Sequence, residues 1–401
     1  MHMPELEAQL TGMTRPVFDQ IVPSAIRQFD NQIKDIPGIL KLTLGEPDFN
    51  APDHVKQATI DAINQNRSHY APAAGLPELR EAISTYLTKL NQVTYDPQTE
   101  ILVTVGATEA IAAAMGTVLG AGDEVIIPTP IFPLYITTAQ IDGATPVLVD
   151  TSVDDYVLTP ARLTTTLAVH PRAKMLVLNY PTNPTGVTYT DSQLQALAAV
   201  IRKHKLLVLA DEIYCELAYD QPHVSISTLL PERTIVINGV SKTFAMTGYR
   251  VGYLAAPAAL TQQIAKLHGA LVTAAPTPMM AAATDALQHG VADTAAMKAQ
   301  YHERRDFLVQ ALNQLGFTTA QPNGAFYVFA KIPADEEQDD RAFALKVAQQ
   351  AKVAVVPGSC FGPGGEGHVR LSYAADMDKL QEAVKRLAAY RANKLSVDVS
   401  A

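Results

Sequence analysis

The sequence predicts an α/β fold: a large domain on a mostly parallel sheet covered by helices, with a smaller α+β domain beside it. Three observations carry that expectation. Short apolar runs alternate with helix-like patterns through the middle of the 401-residue chain, as in a parallel sheet buried on both faces. The character changes near Val291, where a long charged helical pattern gives way to short strands. The residues best suited to chemistry fall just beyond strand ends, the edge at which such sheets bind ligands.

Taken in order, 101–105, 124–127, 146–149, 175–178, 206–210, 234–238 and 251–255 read as buried strands. Helical periodicity falls between several of them, at 108–119, 191–204 and 260–271. Farther on, 295–315 reads as a long helix, 324–330, 353–356 and 369–373 as strands, and 376–392 as a closing helix. The expected division is an N-terminal arm (1–45) that joins the small domain, a large domain (46–290) and a C-terminal small domain (291–401). No internal repeat or low-complexity linker interrupts the chain.

Composition narrows the function. Hydrophobic residues make up 48% and charged residues 18%, which excludes a disordered chain. A net charge of -9 argues against nucleic acid or an anionic membrane surface as partner. Cys215 and Cys360 are the two cysteines; they make no disulfide framework and no metal-ligand spacing, which fits a reducing cytoplasm. Cys215 reads as a small buried hydrophobe. Residues 1–14 carry Glu5 and Glu7 and lack a basic region followed by an apolar run, so no ordinary signal peptide is expected. No apolar stretch approaches the ~18 residues of a membrane span. A soluble cytoplasmic protein is the expectation.

The most informative stretch is Gly239-Val240-Ser241-Lys242, followed eight residues later by Arg250. A lysine among small and apolar residues, near a second cation, sheds its proton readily and attacks carbonyls. An arginine grips a phosphate with two donors at once. Together they suggest pyridoxal phosphate, which carries an aldehyde and a phosphate. Gly106-Ala107-Thr108 joins a strand to a helix, whose free N–H groups and Thr108 hydroxyl suit a phosphate; taken alone, the motif reads first as a plain N-cap by Thr108. Asn183 sits in the proline-stiffened turn Asn179-Tyr180-Pro181-Thr182-Asn183-Pro184, where its amide can bond a phenolic oxygen. Asp211 ends an apolar strand, so it needs a cationic or multiply bonded partner; it either caps the following helix or meets a protonated pyridine nitrogen.

These motifs, from Leu42-Thr43-Leu44-Gly45-Glu46-Pro47-Asp48-Phe49 to Arg370-Leu371-Ser372-Tyr373, resemble the fold-type I pyridoxal-phosphate enzymes, specifically the class I and II aminotransferases. The resemblance implies Lys242 as the Schiff-base lysine and proton shuttle, and Asp211 as partner of the ring nitrogen. It implies Asn183 and Tyr214 at the ring hydroxyl, Ala107, Thr108 and Arg250 at the phosphate, and Phe132 stacked on the ring. Phe132 also reads as core. Arg370 is implied at the substrate α-carboxylate, with a Gly45 backbone N–H and Asn183 nearby. Tyr70 is implied to reach the phosphate of the neighbouring subunit, making a homodimer the working unit. Gly239 departs from relatives that carry a serine or threonine there, and Ser241 is the substitute phosphate contact. The Gly362-Pro363-Gly364-Gly365 loop leads into a strand and reads as a turn.

The implied activity is ping-pong transfer of an amino group from an L-amino acid to a 2-oxo acid such as 2-oxoglutarate. Aromatic donors are favoured, by likeness to bacterial aromatic-amino-acid and N-acetyl-diaminopimelate aminotransferases. An aspartate or N-acetyl-LL-diaminopimelate enzyme and a C–S lyase on the same scaffold are the alternatives. A transcriptional regulator built on this module is disfavoured by the acidic chain. Phe18, Ile21 and Phe326 are candidates for an apolar side-chain pocket, and each also reads as core.

Overall fold

The computed structural model describes residues 5–21 and 24–398. Residues 1–4, Val22 and Pro23 of the expected arm, and the last three residues of the expected small domain, lie outside them. A two-residue strand, β1 (Leu40–Lys41), precedes the large sheet. That sheet comprises β2 (Ile101–Thr104), β3 (Glu124–Thr129), β4 (Thr145–Asp150), β5 (Ala173–Asn179), β6 (Leu207–Asp211), β7 (Thr234–Gly239) and β8 (Gly252–Ala255). Its order is β2-β8-β7-β6-β5-β3-β4. From β7 to β4 every neighbouring pair is parallel.

Strand β8 alone runs against its neighbours β7 and β2. Twelve residues separate β7 from β8, about the least that a parallel crossover needs. Here they form a one-turn helix, Val240–Thr243, and a 3-10 turn, Thr247–Tyr249, and the chain returns antiparallel. Consequently the carboxyl ends of β2, β5, β6 and β7 meet at one edge.

Successive strand residues serve opposite faces, as the pleat requires. Val125, Ile127, Met175, Val177 and Leu209 pack with Ala110, Ile111 and Met115 of the helix Gly106–Val118. Their neighbours Ile126, Leu176, Leu178 and Val208 pack with Leu163 and Leu194 of two helices on the other side. Each fully buried aliphatic side chain contributes roughly 1.5–3 kcal/mol, so the strand ends stand on a rigid base.

The second unit holds β9 (Thr318–Thr319), β10 (Tyr327–Lys331), β11 (Val353–Ala354), β12 (Val356–Pro357) and β13 (His368–Ser372). Antiparallel pairing orders four of them β12-β13-β10-β9, while β11 pairs in parallel with β1. The helices Val291–Gln314, Asp340–Gln350 and Met377–Asp398 pack against this unit. Helix Ala25–Ile33 buries Phe29 and Ile33 in the same core. The strand expected at 324–330 starts only at Tyr327, because Ala325 adopts a left-handed φ of 59° that no strand residue takes.

At the β7–β8 junction Gly239 pairs with Gly252. A Cβ on Gly252 would stand 2.4 Å from the Ala107 nitrogen and 2.4 Å from the Gly106 carbonyl carbon. Both neighbours are backbone, so neither yields by changing rotamer. Gly252→Ala is expected to destabilise the protein by about 1–3 kcal/mol, read as a lower thermal midpoint; an unchanged midpoint would mean that the helix start at Gly106 moves freely.

Candidate active site

A cavity of about 340 Å³ opens at the shared strand edge, with Tyr327 of β10 and Arg370 of β13 on its far wall. Eleven residues singled out from the sequence line it: Gly45, Ala107, Thr108, Phe132, Asn183, Asp211, Tyr214, Ser241, Lys242, Arg250 and Arg370. Tyr70 does not. It is 89% exposed on the surface. Phe18 and Ile21 are also absent from the lining, a correction to the expected apolar pocket. Phe18 lies on a one-turn helix, half exposed, with the Arg15 guanidinium 5.7 Å from its ring centroid. Ser24, Ile26 and Arg27 form that part of the wall instead. Phe326 is fully buried, and the Lys242 ammonium sits 5.8 Å over its ring.

One end of the cavity suits an anion. The first N–H groups of helix Gly106–Val118 have no partner within the helix, and the dipole there favours negative charge. Thr108 is not the N-cap. Val105 holds that position, and its N–H donates to Glu109 Oε2 at 3.1 Å, which leaves the Thr108 hydroxyl to the cavity. Gly106 takes φ of 75°, and a Cβ there would meet Arg250 Nη2 at 2.4 Å. The guanidinium therefore lies against the turn, directed by an Arg250 backbone in the left-handed region (φ 54°) and by its Nη1 bond to the Thr247 carbonyl at 3.0 Å. A non-glycine residue held there is strain retained at a working site. Ser241 is buried beside this cradle.

The middle of the cavity holds an amine and a carboxylate moved in opposite directions by burial. Lys242 Nζ donates to the Gly45 carbonyl at 2.6 Å. Desolvation brings its pKa down to about 8; Glu46 opposes this, Arg250 and Arg370 add to it, and Asp211 opposes it. Asp211 is pushed up to about 6, chiefly by desolvation and against the Tyr135 hydrogen bond. Tyr135 OH donates to Asp211 Oδ2 at 2.5 Å, and the Ile213 N–H donates to Oδ1 at 3.1 Å. So Asp211 does bond the turn after it. No described basic side chain lies within ion-pair distance of it.

The far wall is built around Arg370, which is 2% exposed. Its Nη1 donates to Asn183 Oδ1 at 2.9 Å and its Nη2 to the Thr43 carbonyl at 2.8 Å. Nε is buried without a protein partner. The Tyr327 and Phe361 rings lie 4.4 and 5.0 Å from the guanidinium. Asn183 is itself fixed by its N–H bond to Asn179 Oδ1 at 3.1 Å. Tyr214 OH meets Tyr327 OH at 2.9 Å, and burial raises the Tyr214 phenol well above its ordinary pKa. Sequence reasoning missed Tyr135, Tyr327 and Arg27, which carry no motif of their own. Tyr327 alone had a signal, its place in an expected strand.

Among the described residues no cluster of His, Cys, Asp and Glu forms a metal site, and no helix is long and apolar enough to cross a membrane. The cavity thus offers an anion cradle, an amine with a lowered pKa, a buried carboxylate without a cation and a buried guanidinium with a donor to spare.

Comparison with known proteins gives this geometry a family. Residues 37–387 match the sequence profile described as aminotransferase class I and II. A Bacillus subtilis protein described as a probable N-acetyl-LL-diaminopimelate aminotransferase is 43% identical over 94% of this chain and 95% of its own. An aromatic-amino-acid aminotransferase of Thermococcus litoralis is 38% identical over 92% and 96%. Among solved structures, the Thermus thermophilus aspartate aminotransferase with maleate superposes with a TM-score of 0.89 at 35% identity, covering 94% of this chain and 99% of that one. The protein belongs to the class I and II aminotransferases and is a transaminase of the fold-type I architecture.

Proposed function

We propose that the cavity binds pyridoxal 5′-phosphate and moves amino groups from L-amino acids, aromatic ones preferred, to a 2-oxo acid such as 2-oxoglutarate in ping-pong fashion. The observation that carries this reading is the meeting of Lys242, its pKa lowered to about 8, with Asp211, a buried carboxylate lacking a cation, in one cavity. The residues present fit the cofactor. Ala107, Thr108, Ser241 and Arg250 would hold its phosphate, Asn183 and Tyr214 its phenolic oxygen, Asp211 its ring nitrogen and Phe132 its ring face. When bound, it supplies an aldehyde for amino groups and an electron sink for charge at the substrate α-carbon.

The protein's own groups do the rest. Lys242 Nζ, whose lowered pKa favours the neutral amine, takes the proton from the α-carbon of the donor and, in the second half-reaction, supplies one to the α-carbon of the acceptor. Asp211, anchored by Tyr135, would hold the ring nitrogen in its protonated form, because a buried carboxylate favours a cationic neighbour. Arg370 receives the α-carboxylate on its unpartnered Nε edge, with the Gly45 backbone beside it. Lys242→Ala is expected to lower turnover by about 10³-fold or more while the variant still takes up cofactor, seen in its absorption spectrum. Full transamination by that variant would end the assignment.

Tyr70 supports a homodimer, because a tyrosine 89% exposed and outside its own cavity is free to enter a partner's. Mixing Tyr70→Phe subunits with Lys242→Ala subunits is then expected to restore activity, since one site of each hybrid is intact. Activity no greater than the sum of the two separate variants would exclude the shared site. The free, buried Cys215 and Cys360 fit a cytoplasmic enzyme. The proposed division at 45/46 and 290/291 is supported by the β1–β11 pairing and by the helix that begins at Val291.

Ile26, Phe132 and Tyr327 in the lining support aromatic donors. The 43% identity to the Bacillus protein favours N-acetyl-LL-diaminopimelate as a second reading. A panel of donors against 2-oxoglutarate, ranked by kcat/KM, is expected to put phenylalanine and tyrosine ahead of aspartate by about tenfold or more. A large preference for aspartate would overturn the aromatic reading, and a lead for the N-acetylated donor would establish the second.

A further inference from the structure

Helix Ala258–Val272 turns Thr261, Ile264 and His268 inward, and His268 is fully buried there against helix Gly106–Val118. An inward face at that spacing ordinarily takes aliphatic side chains. Both ring nitrogens of His268 meet oxygen instead. Nδ1 lies 3.1 and 3.2 Å from the two carboxylate oxygens of Glu109, and Nε2 lies 2.9 Å from the Ala73 carbonyl oxygen. A carbonyl and a carboxylate only accept, and a neutral imidazole has a single N–H to give. The neutral ring would therefore set one nitrogen lone pair against an oxygen in the interior. Only the doubly protonated ring satisfies both contacts.

We propose that His268 is a positioning residue for the cofactor phosphate, held as an imidazolium whose charge cancels that of Glu109 beneath the anion cradle; the inference rests on the pyridoxal-phosphate reading of this site. Glu109 accepts from the Val105 N–H at the start of the cradle helix, so it steadies the N–H groups that face the anion. As a bare carboxylate in the first turn it would also repel that anion and offset the helix dipole. The imidazolium removes the second effect and keeps the first. Its other N–H reaches the carbonyl of Ala73, three residues past Tyr70, and the Val103 N–H holds the next carbonyl, that of Ala74, at 3.1 Å. One side chain thus ties the cradle helix to the segment that carries Tyr70.

The pair responds to pH in one direction. Desolvation lowers the His268 pKa, but the Glu109 hydrogen bond and charge, with the Ala73 bond, raise it above the ordinary histidine value. The ring is charged below that raised value and loses its proton, and the contacts that depend on it, as pH climbs through it. Glu109 is the charged group facing the ring from the cradle helix. Residues 71–74 and β2, which flank it otherwise, carry no titratable side chain. Lys266 of its own helix donates to Gln263. Asp142, which flanks Gly116 of the cradle helix together with Leu267, is pushed up to about 6 by burial and ionises before the ring discharges.

The test is the dissociation constant of pyridoxine 5′-phosphate from the full-length protein, a probe with the phosphate but no aldehyde for Lys242. Near pH 7, His268→Gln is expected to raise it about tenfold or more, because Glu109 is left an unpaired charge. The gap should close as pH rises through the histidine pKa, where the wild-type ring has lost its own proton. Adding Glu109→Gln to that variant should recover most of the affinity, which a packing defect would not do. In protein labelled with nitrogen-15 at histidine, both ring nitrogens of His268 should be protonated near pH 7, its signals being assigned by their loss in His268→Gln or their shift in Glu109→Gln. An unprotonated nitrogen there overturns the proposal. So does a constant within about twofold of wild type, a gap independent of pH, or no recovery in the double variant; matching thermal midpoints show that the variants fold. Wild type that binds neither this probe nor pyridoxal 5′-phosphate defeats the cofactor reading itself, whereas binding by wild type with an unshifted variant defeats only the role of His268.

Discussion

The clasp between Arg370 and its two acceptors is the contact on which the site depends. Arg370 comes from the small sheet, Asn183 from the loop after β5 in the large sheet, and Thr43 from the N-terminal arm. A guanidinium cannot shed its proton, so burying one obliges nearby oxygens to face it. Satisfying that one charge therefore fixes three distant stretches of chain relative to each other. The rings of Tyr327 and Phe361 add cation–π attraction, which strengthens as water is excluded. Only Nε is left open, and it is the edge at which a planar carboxylate makes its second bond.

Around that clasp the electrostatics are unbalanced. Burial is the largest cause raising the Asp211 pKa and lowering that of Lys242, so each group is driven toward neutrality. A ligand with a cationic nitrogen near one and an electrophilic carbon near the other relieves both at once. Tyr135 opposes the first shift by donating to Asp211, which keeps the carboxylate oriented. The cradle at Gly106 and Arg250 acts at longer range, where backbone dipoles and one guanidinium supply a field that needs no rearrangement when an anion arrives.

Much of this was legible in the chain, for a physical reason. Asp211, Asn183 and Lys242 stand just beyond apolar strands, and parallel packing forces such ends to one edge. Their convergence thus came from local patterns. The reversal of β8 did not, because an apolar run has no direction. Tyr135 and Tyr327 reach the site from a helix and from the small sheet, and nothing local marks a tyrosine whose partner lies 76 or 113 residues away. Phe18 and Ile21 were misplaced because aromatic and aliphatic residues near the N-terminus read as pocket or surface alike. The wall belongs to Ile26 and Arg27, whose helix is positioned by a core assembled from the far end of the sequence. Tyr70 has its place on the surface of a single chain, so its role depends on a second copy.

The pairing of β1 with β11 bears on how the molecule is made. Leu40 finds its partner in Val353, 313 residues farther along. At about 5–20 residues per second of synthesis, the segment leading to Gly45 leaves the ribosome roughly 15–60 s before its mate exists. The large sheet has all its strands well within that interval, since β8 ends at Ala255. The wall of the cavity that carries Thr43 and Gly45 is thus translated first and fixed last, and a nascent chain stalled before Val353 holds a lysine and an anion cradle but lacks both Arg370 and the strand that anchors that wall.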